Sequence, residues 1–214
     1  MEALGVNVAA SKKKMIQAIR TRGLGYFHAP FYHPVFARIQ PLRRRLKTRT
    51  IFNFLGPLAN PLKLKGQMIG VSRPQEVPRF ANILRRTGIQ NAFVFCSSDG
   101  LDEISSCATT LLAQVQNKKI RYRRLNPKSL GFVKAPKGAY RGGSVSKNKK
   151  IALALLQGKL QGPIRDIVVL NAAAGLILSG KARNFSEGIR LAAYSLSSGN
   201  AYRVLESLRE VTDS

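Results

Sequence analysis

Residues 91–103, NAFVFCSSDGLDE, decide the fold. After Asn91 the run to Cys96 is apolar and rich in aromatic and β-branched residues, so it reads as a buried strand. The chain then passes directly into Ser-Ser-Asp-Gly, which is loop chemistry. Open α/β sheets place their ligand loops at the C-terminal ends of strands, and this loop sits at such an end.

Working outward, residues 67–71 read as a second strand, and 76–87 as an amphipathic helix closed by Gly88. Residues 109–116 and 119–125 form a hairpin that turns at Asn117-Lys118. Residues 126–145 hold Pro127, Pro136, Gly138, Gly142 and Gly143 and read as an ordered connection. Helices over 146–157, 163–179 and 186–209 complete the chain, the last broken near Gly199. Toward the start, Ser11 caps a short helix with Met15, Ile16 and Ile19 at helical spacing, and Gly23 ends it. Residues 25–34 are loop-like, 35–46 suggest a short helix interrupted at Pro41, and 50–61 run extended into Gly-Pro and Asn-Pro turns. The expected fold class is α/β: a central, mainly parallel or mixed sheet wrapped by helices, in one domain over 1–214 with no internal repeat.

The chain has 214 residues, of which 44% are hydrophobic, enough for a real core. Its charge is anomalous: 36 Lys and Arg against 10 Asp and Glu give a net +26. Such an excess attracts polyanions or phosphorylated small molecules. The cations are dispersed, however, through Lys12–Lys14, Arg43–Arg45, Arg85-Arg86, 118–124 and 147–150, so a diffuse solvated surface explains them as well as a nucleic-acid interface does. A diffuse surface predicts weak, sequence-independent nucleic-acid binding that collapses with salt. Two cysteines, Cys96 and Cys107, are too few for a disulfide framework and read as small buried hydrophobes of a reducing compartment. No signal peptide is visible, and the longest apolar run, 167–178, is too short to span a bilayer. A soluble, cytoplasmic protein without membrane partners is expected. No Gly-x-Gly-x-x-Gly, Walker loop, Cys/His metal cluster or Gly-x-Ser-x-Gly elbow is present.

Four motifs remain. Asp99-Gly100-Leu101-Asp102-Glu103 gathers three of the ten acidic residues of the chain into one pentapeptide. Adjacent carboxylates beside a substrate phosphate suit Mg²⁺, and an Asx-type turn explains the same residues equally well. Ala29-Pro30-Phe31-Tyr32-His33-Pro34, with Pro41-Leu42-Arg43 behind it, offers a histidine and an arginine to an aromatic carboxylate. The plainer alternative makes His33 a packed loop residue and Arg43 part of a solvated basic helix. In 52–61, FNFLGPLANP, backbone at Gly56 is able to approach a ligand closely, or simply to turn the chain. In 170–176, LNAAAGL, small residues allow close helix packing, and Asn171 is expected to tie down a core backbone group.

In order, EALGVNV, GYFHAPFYHP, PLRRRLKTRTIFNFLGPLANP, GVSRP, DGLDEIS, GPIRDIVVLNAAAGL and EGIRLAAYSLSSGNAYRVLESL resemble anthranilate phosphoribosyltransferase, the second enzyme of tryptophan biosynthesis. The resemblance spans essentially the whole chain. It implies a small helical domain on a larger α/β domain, and Mg²⁺-dependent transfer of phosphoribosyl from phosphoribosyl diphosphate to the amine of anthranilate, a glycosyltransferase reaction without a covalent nucleophile. Pro30, His33, Arg43 and Gly56 match family positions along the anthranilate route, and Asp102 and Glu103 match the Mg²⁺-binding pair. The family's GTGGD loop, Asn-x-Ser-Thr segment and Lys-His-Gly-Asn-Arg segment, which grip the diphosphate and ribose, are not found here, nor are the helices that build the family homodimer. The isolated chain is therefore expected to give no detectable transfer. A transferase-derived basic protein that binds nucleic acid, and a non-functional remnant, are the alternatives.

Overall fold

The computed structural model describes residues 1–33, 56–136 and 138–211. They belong to two compact units, Met1–Lys63 with Asn200–Ser214, and Leu64–Gly199. The reading of one domain over 1–214 does not show this division, because its boundaries fall at a Pro-containing turn and at the helix break by Gly199, both local signals of a bend alone.

In the first unit, α1 (Lys12–Arg22) starts where Ser11 Oγ accepts the Lys14 N–H and stops at Gly23, whose φ of 77° is open to glycine at little cost. Residues 25–34 are not all loop: Ala29–Tyr32 form a one-turn helix, α2, with Pro30 in its first turn. Proline is tolerated there because the first helical N–H groups have no intrahelical partner. The helix expected over 35–46 and most of the extended segment over 50–61 lie outside the described residues. The final helix of the chain, designated here by its bounds Asn200–Arg209, packs on α1 and buries Leu205 and Leu208. Arg209 lies across Gly5 and donates from Nε to the Leu4 carbonyl.

The second unit holds the sheet. Its order is β1 (Gly66–Gly70), β2 (Asn91–Ser97), β3 (Thr110–Gln116) and β4 (Lys119–Leu125). The β1–β2 pair is parallel, with Met68 opposite Phe93, and the other two pairs are antiparallel. The sheet is therefore mixed rather than mainly parallel among the described residues. The β3–β4 turn uses Asn117 at φ 50° and Lys118 at φ 62°, the paired left-handed conformation that suits the twist of a two-residue hairpin.

Side-chain alternation divides the buried β2 residues between two faces. Phe93 and Phe95, with Leu112 of β3, form a cluster with Leu170, Ala173 and Ala174 of α5 (Pro163–Leu178) and Phe185 of α6 (Phe185–Ser197). The helices α5 and α6 approach closely because Gly188 faces Ala173: a Cβ at Gly188 would stand 2.9 Å from that of Ala173. Ala92, Val94 and Cys96 alternate to the opposite face, where α3 (Glu76–Arg86) packs on β2 and β3 and buries Val77, Phe80, Ala81 and Leu84. The helix α4 (Val145–Leu156) precedes α5, and Asn200–Arg209 is accordingly α7. Both layers cover β2, so its C-terminal end and the loop beyond it rest on a rigid base.

Candidate functional site

That loop, 98–109, leaves β2 at Ser97 and rejoins the sheet at Thr110, which is paired with Ser97 across β2 and β3. The sequence puts hydroxyls at both positions, and the fold buries both. Their oxygens lie 2.7 Å apart, Ser97 Oγ lies 2.6 Å from the Glu103 carbonyl, and both hydroxyls accept the Ser105 N–H at 3.0 and 3.2 Å. Asp99 acts as the Asx turn that its sequence allows: Oδ1 accepts the Leu101 N–H at 3.4 Å, and Oδ2 accepts the Ser105 hydroxyl at 2.7 Å. Asp99 is thus occupied inside the loop.

Two further supports come from distant parts of the chain. The Asn171 side chain on α5 brackets Ile104: Oδ1 accepts its N–H at 3.0 Å, and Nδ2 donates to its carbonyl at 2.9 Å. The same Nδ2 donates to the Ile167 carbonyl at 2.8 Å, one helical turn back. Asn171 therefore ties down core backbone as expected, and the backbone it ties is that of the acidic loop. Beneath Asp102, Gly70 at the end of β1 admits the loop backbone into contact with the strand.

Asp99, Asp102 and Glu103 are all exposed, and the Asp99 carboxylate is engaged by hydrogen bonds within the loop. Desolvation of the part of Glu103 resting on the protein, and then the Asp102 carboxylate, raise the Glu103 pKa above its ordinary value. Two adjacent exposed carboxylates are a fitting partial shell for a hard divalent cation. Among the described residues no group of three or more His, Cys, Asp or Glu gathers to hold a metal alone. Such an ion would take its remaining oxygens from water or from a phosphate.

Beside the loop lies a cleft of about 1180 Å³ lined by Asp99, Leu101, Lys128, Lys134, Tyr140 and Arg141 among others. Cys107 lies in its wall, and here the expectation of a second buried hydrophobe fails. Its sulfur accepts the Ala135 N–H at 3.2 Å and the Tyr140 hydroxyl at 2.6 Å, while Ser106 Oγ meets that hydroxyl at 2.7 Å. Burial and the hydrogen bond to Cys107 raise the Tyr140 pKa, against smaller opposing effects of Ser106 and Ser105. Cys96 is buried, as expected.

The candidate anthranilate residues fall in the first unit. Pro30 lies in the single turn of α2 and His33 caps its C-terminal end, where the His33 N–H donates to the Ala29 carbonyl at 2.9 Å. Around them is an aromatic group not singled out in the sequence: His28 lies 5.6 Å from Phe31 and 6.2 Å from Tyr26, and Phe27 meets Tyr32 edge-on at 5.0 Å, centroid to centroid. Gly56 opens a 3₁₀ turn over Gly56–Leu58, and among the described residues nothing lies within 4 Å of where its Cβ would project. Arg43 lies outside the described residues. Ser97, Thr110, Ser105 and Gly70 are positioning residues that sequence reasoning missed; the run Ser97-Ser98 before Asp99 was their only local trace.

A family profile described as "Glycosyl transferase family, a/b domain" matches residues 1–202. The chain belongs to that family. Among glycosyl transferase family relatives, anthranilate phosphoribosyltransferase of Thermomicrobium roseum is 39% identical over 216 residues, covering 100% of this chain and 62% of the relative. The enzyme of the same name from Rhodopseudomonas palustris is 40% identical over 212 residues, covering 99% of the chain and 62% of the relative. The chain thus spans about 62% of the length of these curated relatives. Its fold superposes on anthranilate phosphoribosyltransferase from Thermus thermophilus with a TM-score of 0.90 at 35% identity, over 97% of this chain and 61% of the other. For the Saccharomyces cerevisiae enzyme in complex with PRPP and Mg the TM-score is 0.91 at 25% identity, over 98% and 60%. The α/β fold class and the family resemblance read from the sequence are both upheld. No helix among the described residues is long and apolar enough to cross a membrane.

Proposed function

We propose that this glycosyl transferase family member carries the anthranilate and metal–diphosphate parts of an anthranilate phosphoribosyltransferase site of tryptophan biosynthesis. The observation that carries this reading is the Asp102–Glu103 pair, in a loop held by Ser97, Asn171 and the cut-away at Gly70. The sequence relatives bear that enzyme's name, and a yeast relative of the same fold was solved with PRPP and Mg.

In the proposed reaction the anthranilate amine nitrogen bonds to C1 of the ribose as the C1–oxygen bond to diphosphate breaks. Pyrophosphate leaves with the bonding pair, and the amine loses its proton to solvent. Mg²⁺, when bound, neutralises charge growing on the diphosphate oxygens. Asp102 and Glu103 are the residues that would hold that metal. Positioning of this kind is the main catalytic contribution expected where no covalent nucleophile is used. Pro30, His33, Gly56 and Arg43 receive anthranilate, the arginine fork pairing with its carboxylate.

Thermal melts test the reading. Pyrophosphate with Mg²⁺ should stabilise the chain more than the two separate effects combined, as for a ligand that binds only the native state. Asp102→Asn with Glu103→Gln should abolish that synergy and leave salt-sensitive pyrophosphate binding intact. The same synergy in the double variant would reduce DGLDE to a turn.

A further inference from the structure

Most of the +26 charge lies away from the acidic loop. Arg22–Glu210, Arg165–Asp166 and Arg209–Glu206 form ion pairs, none of which involves Arg85, Lys118, Lys119 or Arg121. These four cations line a groove of about 490 Å³ with Asn82, Ile120 and Tyr122. Among the described residues no acidic one lines it. Ile120 and Tyr122 are two apart on β4, so they share one strand face, opposite Val115 and Ala113 of β3. This is the face on which α3 packs. Tyr122 and Ile120 thus lie on the α3 face with Arg85 of α3 and Lys118 of the turn beside them, while Lys119 and Arg121 alternate to the other strand face and line the site from the β4 edge.

Charge on β4 has a structural use by itself. It is an edge strand among the described residues, and lysines and arginines keep edges from pairing with other chains. That use does not call for an open aromatic ring beside the cations, yet Tyr122 is 51% exposed. Arg123, on the other face, is accounted for: its guanidinium lies 5.7 Å from the Phe93 centroid and 5.6 Å from that of Phe185.

We infer that the α3–β4 groove binds single-stranded nucleic acid. Neighbouring cations follow a phosphate backbone, and an exposed aromatic ring stacks an unpaired base without regard to its identity. A duplex offers the same phosphates but keeps its base faces stacked inward, so the groove favours the single strand.

Fluorescence anisotropy of a labelled thymidine oligonucleotide at physiological salt tests this with the full chain. Arg85→Gln, Lys118→Gln and Arg121→Gln together should weaken binding about tenfold to a hundredfold. A charge-matched control, Lys147→Gln, Lys149→Gln and Lys150→Gln on exposed α4, should change it by about twofold or less. Tyr122→Ala should cost about tenfold, and Tyr122→Phe should retain binding, because stacking needs the ring and not the hydroxyl. Equal losses in the two triple variants would overturn the inference in favour of a diffuse field. So would an unchanged Tyr122→Ala variant, equal affinity for duplex, or displacement by anionic phospholipid vesicles at lower phosphate concentration than by oligonucleotide.

Discussion

A Cβ placed on Gly70 would stand 1.6 Å from the backbone carbonyl oxygen of Asp102 and 2.6 Å from its carbon. Strand β1 and the acidic loop are in backbone contact there, and no side chain fits between them. Gly70→Ala must move the loop or the strand. The expected cost is about 3 kcal/mol in urea unfolding, with loss of the synergy between pyrophosphate and Mg²⁺. Wild-type stability and ligand response in this variant would show that the loop moves freely.

Asn171 supplies three hydrogen bonds to backbone from one side chain. Asn171→Ala leaves the Ile104 N–H and two carbonyls without these partners, at about 2–4 kcal/mol by chemical denaturation. Asn171→Asp restores the acceptor but not the donor, so it should recover only part of the loss. Full recovery by Asp would argue that the two amide donations contribute nothing.

The hydroxyl pair Ser97 and Thr110 is buried, and the loop backbone depends on it. Ser97→Ala should cost about 1–3 kcal/mol, since the Ser105 N–H loses one acceptor and the Glu103 carbonyl loses its donor. Hydrogen exchange at Ser105 should accelerate more than at Val94 in the middle of β2. Uniform acceleration would mean global loss of stability and not release of the loop.

Glu103 sets a pH dependence. Burial first and Asp102 second raise its folded pKa above the unfolded value. Its contribution to stability is therefore fully present below the unfolded pKa of about 4.3, and is lost as pH rises through the higher folded value. Glu103→Gln should match wild type near the acid end and melt about 1–2 °C higher at neutral pH without metal. Asp102→Asn should narrow that difference by removing the second cause. Parallel melting profiles across the range would show that Glu103 carries no such pH dependence.

For the proposed anthranilate contact, Arg43→Ala should weaken quenching of anthranilate fluorescence about tenfold or more while sparing the pyrophosphate–Mg²⁺ synergy. A loss of synergy with no change in anthranilate binding would reassign Arg43 to the diphosphate.

The sequence by itself determined the elements and the chemistry they display. Ser11 and Gly23 delimit α1, Asn117-Lys118 turns the hairpin, and the apolar run after Asn91 makes β2, because caps, turns and side-chain periodicity act over a few residues. The acidic pentapeptide and the Pro30–His33 segment were legible for the same reason. Tertiary structure alone decided that the sheet is mixed in the order β1-β2-β3-β4, that Asn171 reaches across 67 positions to Ile104, and that Asp102 rests on Gly70. It also tied the Asp99 carboxylate to the Ser105 hydroxyl, a hydrogen bond that three neighbouring carboxylates in a sequence do not reveal. These pairings are fixed by how two helix layers close over a buried sheet, and contacts between residues far apart in sequence leave no local spacing to read.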